Sequence, residues 1–198
     1  MLRTGKDYIE SLRDGREVWI DGERVQDVAT HPAFAPVVNV RARIYDLGHE
    51  AATKDLLTYT DEQTAERCAT TSRPPHTRED WRAKRASVDA ILDEAGGVVT
   101  RVGDETVGEM WSLFDGQSVL NEINPAFAQN IADHVRRAQL LDPFHVSANT
   151  DPKGNRAMRP QDQDPDVLLH VVGETDNGIV VCGGREVVAQ RSAVCSSV

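Results

Sequence analysis

Apolar residues recur at helical spacing along most of the first two thirds of the chain. Thr4 followed by Asp7 has the pattern of a helix N-cap with an acidic third position, and Thr77 followed by Asp80 repeats it. Gly96 and Gly97 are expected to end the helix that Thr77 begins. The spacing predicts helices over about 5–14, 37–47, 78–95, 105–120 and 125–141. Their expected inward residues include Trp81, Val88, Ile91 and Leu92, then Met110, Trp111 and Phe114, then Ile131, Val135 and Leu140.

Short β-rich runs separated by turn residues form a second pattern. Asp21 and Gly22 lie between two such runs in EVWIDGERV, which predicts a hairpin. LLTYTD and ERCATTS predict another strand pair. After Pro143 the chain becomes β-rich throughout, with FHVSAN, VLLHVVGET, GIVVCGGREVVA and a last strand VVAQRSAV. We therefore predict a mainly helical domain over 1–142 and a partial β-domain over 143–198.

The predicted β-domain has too few strands to stand alone. Three or four strands close neither a barrel nor a sandwich, and an open sheet leaves its edges exposed. We expect another segment or another chain to complete the sheet, or the native protein to be longer. An exposed edge near the end of the chain also predicts association in solution.

Composition and charge exclude several classes of protein. Hydrophobic residues make up 39% and charged residues 27%, as in globular domains. The net charge of -10 argues against nucleic acid and anionic membranes as partners. No apolar run approaches the ~18 residues of a membrane span, and no secretory signal opens the chain. Three cysteines without CxxC spacing argue against disulfides or zinc, so a reduced, metal-free protein of the cytoplasm is expected.

Two stretches near the ends of the chain resemble one enzyme family. The opening RTGKDYIESLRDGREVWIDGERVQDVATHPAF and the later DPKGNRAMRPQDQDPDVLLHVVGETDNGIVVCGG, which starts at Asp151, are similar to the 4-hydroxyphenylacetate 3-monooxygenase family. The resemblance implies an acyl-CoA-dehydrogenase-like architecture, in which a helical domain precedes a β-barrel-like domain and a C-terminal helical bundle that builds a tetramer. This chain resembles the first two parts only. The expected fold class is therefore α+β, with a helical domain, an incomplete β-barrel-like domain and no bundle.

The family that the chain resembles contains two chemistries. The larger group takes reduced FAD from a separate flavin reductase and uses O2 to hydroxylate a phenol beside its hydroxyl group. The smaller group resembles 4-hydroxybutyryl-CoA dehydratase and adds an iron–sulfur cluster. The DPKG spelling at Asp151 favours the second group, but the segment GGVVTRVGDE has no cysteine where dehydratases carry a pair of cluster ligands. Hydroxylase chemistry on a small aromatic substrate is the better expectation.

The resemblance also suggests residues that would bind the substrate. Arg101 corresponds to an arginine that stabilises phenolate character, although it could equally be a solvated loop residue. Glu105 stands where the hydroxylases often carry a substrate-binding tyrosine, which puts a simple anionic phenol in doubt. His145 corresponds to a histidine that accepts the phenol proton and contacts flavin, although a lone histidine in an apolar run is more often structural.

A turn further along resembles the flavin-contacting segment of the family. Asn149, Asp151 and Pro152 lie in it, and backbone amides in such a turn can bind the isoalloxazine edge or the pyrophosphate. A flavin-binding threonine of the family is replaced near Ala189, which removes a hydroxyl. We predict an FADH2-dependent aromatic hydroxylase; the alternatives are a truncated or degenerate family member without catalysis and a flavin-dependent, dehydratase-like enzyme acting on an acyl-CoA.

Overall fold

The computed structural model describes residues 2–97, 106–145, 150–176, 178–187, 190–193 and 196–197. The chain divides into two compact units, residues 1–145 and 146–198. The helices are α1 (Gly5–Ser11), α2 (Ala35–Leu47), α3 (Lys54–Leu57), α4 (Arg78–Glu94), α5 (Thr106–Asp115), α6 (Gln117–Ile123) and α7 (Pro125–Leu141). The strands are β1 (Val18–Ile20), β2 (Glu23–Val25), β3 (Thr58–Thr60), β4 (Arg67–Ala69), β5 (His170–Thr175), β6 (Gly178–Cys182), β7 (Gly184–Val187), β8 (Gln190–Ala193) and β9 (Ser196–Ser197).

Helix α1 begins at the predicted cap and packs directly on α2. The side chain of Thr4 accepts from the backbone N–H of Asp7, and the Asp7 carboxylate accepts from the Thr4 N–H, which completes a capping box. A Cβ on Gly5 would lie 2.5 Å from the carbonyl oxygen of Ala42, so only glycine permits this close approach. The stacked rings of Tyr8 and Tyr45, with centroids 5.3 Å apart, pack against each other across the contact between the two helices.

The two predicted hairpins of the first unit are present. Asp21 and Gly22 both have positive φ (50° and 85°), as a two-residue hairpin turn between β1 and β2 requires. In the second hairpin Tyr59 of β3 pairs with Cys68 of β4, and Cys68 is fully buried. This hairpin lies against α7, where the side-chain amide of Gln139 donates to the hydroxyl of Tyr59 at 3.1 Å.

Helix α4 is present, but the prediction of which residues it buries is wrong at its N-terminal end. Trp81 is 54% exposed, and its ring lies 5.5 Å from the ammonium nitrogen of Lys84. The buried positions are instead Asp80, Lys84, Ser87 and Ile91, three of which are polar. Asp80 explains part of this orientation, because its carboxylate caps the helix through Thr77 and pairs with an arginine of the preceding loop. Hydrophobicity alone therefore placed the face incorrectly.

The single helix predicted over 105–120 is two helices. Gly116 interrupts it, so that α5 ends at Asp115 and α6 begins at Gln117. Met110 is buried as predicted, and Trp111 and Phe114 pack partly buried around it. Helix α7 has the predicted bounds, with the Asn124 side chain accepting from the backbone N–H of Ala126 at its start.

The second unit consists of short strands and two 3-10 turns. Strands β5, β6 and β9 form an antiparallel sheet, and β7 pairs with β8 as a separate hairpin. The prediction of VVAQRSAV as one continuous last strand is therefore wrong, because its described residues belong to both arms of the β7–β8 hairpin. Within the described ranges the strands form no closed barrel. No helix of the described part of the chain is long and apolar enough to cross a membrane.

Candidate functional site

His145 lies just beyond the C-terminus of α7, where the chain makes a sharp turn. Asp142 adopts the left-handed conformation (φ 45°, ψ 52°), and its N–H donates to the carbonyl of Ala138 at 3.1 Å, which ends the helix. The hydroxyl of Tyr45 donates to the carbonyl oxygen of Asp142 at 3.2 Å. This bond ties the turn to α2 and determines where Phe144 and His145 emerge.

A cavity of about 110 Å³ lies inside the first unit and has His145 in its wall. Its walls come from the N-terminal segment, α2, α3, β3, β4 and the residues after it, α4, α5, α7 and the turn after α7. The apolar lining residues are Leu2, Ile44, Leu57, Ala69, Ile91, Met110, Ala138, Pro143 and Phe144. The lining is thus mainly apolar with a few polar groups, as in small-molecule sites. This volume is of the same order as that of a cavity of about 150 Å³ known to bind benzene, so the cavity suits a single aromatic ring.

Two charged groups line the cavity near His145. The guanidinium carbon of Arg41 lies 4.3 Å from the centroid of the Phe144 ring, a cation–π contact. Burial lowers the pKa of Arg41, with Tyr8 and Tyr45 opposing the shift. Burial also raises the pKa of Asp142 to about 6, against the positive charges of Arg3 and His49. A carboxyl group with this pKa changes its charge close to neutral pH.

The imidazole of His145 is held in its neutral form. Its pKa is lowered first by burial and second by His134, whose ring centroid lies 5.9 Å away in an edge-to-face arrangement. A neutral imidazole retains a lone pair and can accept a proton at neutral pH. His145 can therefore act as a base or a hydrogen-bond acceptor toward a molecule in the cavity.

The other residues predicted from sequence are not gathered around this cavity in what the structure describes. Arg101, Glu105 and Asn149 lie outside the described residues. Asp151 and Pro152 belong to the second unit, in an irregular stretch that precedes its 3-10 turns. Of the three predicted site residues that the structure describes, His145 lines the cavity and Asp151 and Pro152 do not.

The described part of the predicted flavin turn suits one part of FAD better than another. Asp151 is exposed, and the ring of Pro152 packs against Gly184. The carboxylate of Asp151 would repel the pyrophosphate, but it could accept from the N3–H of the isoalloxazine ring. Asp151 and Pro152 therefore suit the N3–H edge of the isoalloxazine ring better than the pyrophosphate.

Three residues of the cavity were missed by reasoning from the sequence, namely Arg41, Ser87 and Asp142. Ser87 is fully buried in α4, and its hydroxyl has no hydrogen-bond partner in the described parts of the chain. Its spacing from Lys84 and Ile91 on one helical face is the only sequence signal for it, and a polar residue on a core stripe is easily read as surface. Asp142, placed between a helix end and Pro143, resembles an ordinary capping residue.

Among the residues that the structure describes, no cysteine lines this cavity. Cys68 is buried in β4, where burial raises the pKa of its thiol, and it forms no disulfide within the described residues. In the described ranges no group of three or more His, Cys, Asp or Glu residues is arranged to hold a metal ion.

Comparison with known proteins identifies the family. The family described as 4-hydroxyphenylacetate 3-hydroxylase N terminal matches residues 4–195. A curated relative, the 4-hydroxyphenylacetate 3-monooxygenase oxygenase component of Thermus thermophilus, is 33% identical over 187 residues, covering 93% of this chain and 38% of the relative. The chain therefore belongs to the 4-hydroxyphenylacetate 3-hydroxylase family and matches its N-terminal part.

Solved structures agree with this assignment. The chain superposes with a TM-score of 0.80 and 32% identity on an oxygenase component of 4-hydroxyphenylacetate 3-monooxygenase complexed with FAD and 4-hydroxyphenylacetate, covering 92% of this chain and 38% of that one. An oxygen-tolerant archaeal 4-hydroxybutyryl-CoA dehydratase from N. maritimus gives a TM-score of 0.76 at 26% identity, with 93% and 37% covered. The chain thus spans less than two fifths of the length of these relatives.

Proposed function

We propose that this chain is part of a flavin-dependent monooxygenase that hydroxylates a phenolic or related aromatic substrate with O2 and reduced FAD. The observation that carries the proposal is the half-buried imidazole of His145 in the wall of a ring-sized, mostly apolar cavity. The relative solved with FAD and 4-hydroxyphenylacetate supports the same chemistry.

Within this proposal His145 acts on the phenol. Its unprotonated nitrogen accepts a hydrogen bond from the phenol hydroxyl and takes the proton as negative charge develops on the ring oxygen. The apolar wall excludes water from the ring and strengthens this interaction. Arg101 is proposed to stabilise the phenolate, and Glu105 to contact the substrate from the same loop. A phenol that loses its proton becomes a better nucleophile at the adjacent ring carbon.

As the resemblance to the family implies, FAD is proposed to contact His145, Asn149, Asp151 and Pro152. When bound in its reduced form, it supplies the activation of O2 that the side chains of the protein cannot provide. The Asp151 carboxylate would orient it by accepting from its N3–H, and Pro152 would offer an apolar surface to the ring. The chain carries no GxGxxG motif after a strand, so the reduced flavin would come from a separate reductase.

The wider organisation of the protein is part of the proposal. We propose an acyl-CoA-dehydrogenase-like architecture, with a mainly helical domain over 1–142 and a β-domain over 143–198; the division into compact units falls three residues later, after His145. A homo-oligomer, a tetramer as in the family, would complete the exposed edges of the β-domain. The cytoplasm, which supplies a flavin reductase, is the proposed location.

The experiment supplies reduced FAD, O2 and 4-hydroxyphenylacetate, and measures the hydroxylated product by mass spectrometry. H145Q keeps a side chain of similar size but cannot take the proton, so product formation should fall by roughly 10²- to 10⁴-fold. FAD binding to H145Q should remain within a few fold. The matched control is H76Q, because His76 is exposed and only its backbone N–H is bonded, to Asp80.

The outcomes separate the proposal from its alternatives. Product formation by the wild-type chain, lost in H145Q and kept in H76Q, supports hydroxylation. Binding of neither FAD nor the phenol would favour a family member without catalysis. Binding of FAD together with an acyl-CoA, and no hydroxylation, would favour the dehydratase-like alternative, to which the archaeal dehydratase is structurally similar.

A further inference from the structure

Ser87 stands out among the hydroxyl groups of the cavity. It lies in the middle of α4, its exposure is 0%, and it lines the cavity. A serine inside a helix normally bonds back to the carbonyl one turn earlier or faces solvent. The Oγ of Ser87 does neither, because it is buried and has no hydrogen-bond partner among the residues that the structure describes.

Two other buried hydroxyls in the same wall provide the comparison. Ser72 donates to the carbonyl oxygen of Ala69 at 2.8 Å. Thr58 donates to the carbonyl oxygen of Lys54 and also accepts from the guanidinium of Arg67. Both hydroxyls have roles within the protein itself. Ser87 has no such bond, although leaving a buried hydroxyl without a partner is unfavourable.

The surroundings of Ser87 indicate what kind of partner could reach it. Ile91, one turn further along α4, and Met110 and Leu57 line the same cavity with apolar side chains. They offer Ser87 no donor or acceptor, but they suit the body of an aromatic ring. A natural core is close-packed, so a cavity of about 110 Å³ bordered by an unpartnered hydroxyl has the character of a ligand site rather than of a packed interior.

We propose that Ser87 is a specificity-determining residue, whose hydroxyl binds a second polar substituent on the ring of the molecule that occupies the cavity. The inference rests on the proposed function, in which the phenol hydroxyl of that molecule faces His145. Ser87 comes from α4 and His145 from the turn after α7, so the two would bind separate substituents. The preferred substrate is therefore a phenol that carries a second hydrogen-bonding group, rather than a phenol whose other substituents are all apolar.

The test compares matched pairs of probes that differ only by a methyl or a hydroxyl group. One pair is 4-methylphenol and hydroquinone, and the other is 3-methylphenol and resorcinol, which together sample two ring positions. Binding is measured by titration calorimetry without oxygen and without flavin. In at least one pair the wild-type chain should bind the hydroxylated member about tenfold more tightly, equivalent to about 1.4 kcal/mol. The S87A variant should lose this preference, because its methyl group offers no hydrogen bond.

S72A is the matched control, since it removes a buried hydroxyl from the same wall that is already bonded within the protein. S72A should keep the preference of the wild type for the hydroxylated probe. Thermal unfolding without ligand gives an independent readout. S87A should unfold at the same or a higher temperature than the wild type, because it removes an unpartnered buried hydroxyl, whereas S72A should unfold at a lower temperature.

Three results would overturn the inference. The first is a wild-type chain that binds neither pair, or binds both members of each pair equally. The second is an S87A variant that keeps the preference. The third is an S87A variant that unfolds at as low a temperature as S72A, which would mean that the hydroxyl of Ser87 is already bonded in the free protein, for example to water. The binding test contains no flavin and is therefore independent of the hydroxylation assay. A chain that prefers the hydroxylated probe but does not hydroxylate 4-hydroxyphenylacetate would count against the proposed function and not against the role of Ser87.

Discussion

Replacing Asp142 by asparagine tests whether the carboxyl group in the turn that positions His145 is desolvated, so that ionising it destabilises the fold. Asp142 lines the cavity at the end of α7, in the left-handed conformation. Asparagine has the same shape and is among the few residues that adopt this conformation readily. D142N therefore removes the ionisable group and leaves the backbone turn and its bond from Tyr45 in place.

The size of the effect follows from the pKa of Asp142, which burial raises from 3.8 to about 6. A difference of about 2 pKa units, at about 1.36 kcal/mol per unit, makes the ionised form cost up to about 3 kcal/mol of folding free energy. Between about pH 4 and pH 6 the folded chain keeps the proton that the unfolded chain has released. The free energy of unfolding of the wild type should therefore fall as the pH rises through this window, and D142N should not show that fall.

The measurement is urea unfolding followed by tryptophan fluorescence at several pH values from 5 to 8. D142N should be more stable than the wild type by up to about 3 kcal/mol at pH 8, with the difference shrinking toward pH 5. D133N changes the same charge at an exposed position of the same helix and controls for net charge. Equal pH dependence in the wild type and D142N, or a less stable D142N at pH 8, would refute the reasoning, since the carboxylate would then be ionised and stabilised by its neighbours.

Two further predictions concern the packing of the helical unit. G5A should lose about 1–3 kcal/mol of stability, because its new Cβ meets the carbonyl oxygen of Ala42 at 2.5 Å. G108A should gain about 0.5–1 kcal/mol, because its Cβ meets no described atom within 4 Å. Similar urea midpoints for the two variants would contradict this view of the α1–α2 contact. Q139L should lose about 1–3 kcal/mol, because the hydroxyl of Tyr59 loses its buried partner, and adding Y59F should recover part of that loss. A double-mutant cycle without coupling would show that this bond does not hold the hairpin against α7.

Much of the local structure was predictable because its causes lie within a few residues. The caps at Thr4 and Thr77 depend on an acidic residue three positions later, and the hairpin turn at Asp21-Gly22 depends on the backbone freedom of those two residues. These elements appear where the pattern placed them. The break at Gly116 was missed, since a single glycine within a helical pattern is compatible with either outcome.

The residues of the cavity were much less predictable. His145 was found through the resemblance to the family, not through any local pattern. Ser87 was missed because hydrophobic periodicity assigns a serine to the surface, and Trp81 was placed inside for the same reason. The side of α4 that is buried depends on α2, α3 and the 3-10 turn Thr70–Ser72, none of which is part of the helix's own pattern.

The sequence by itself therefore determined the family, the caps at Thr4 and Thr77 and the two hairpins of the first unit, because these follow from short-range chemistry and from a resemblance carried by contiguous residues. The tertiary structure alone decided that Asp142 is desolvated although partly exposed, that Arg41 lies over Phe144, and that Ser87 lines a ring-sized cavity while its hydroxyl has no partner within the described chain. Burial and hydrogen-bond satisfaction depend on side chains brought together from separate helices. No local pattern along the chain encodes them.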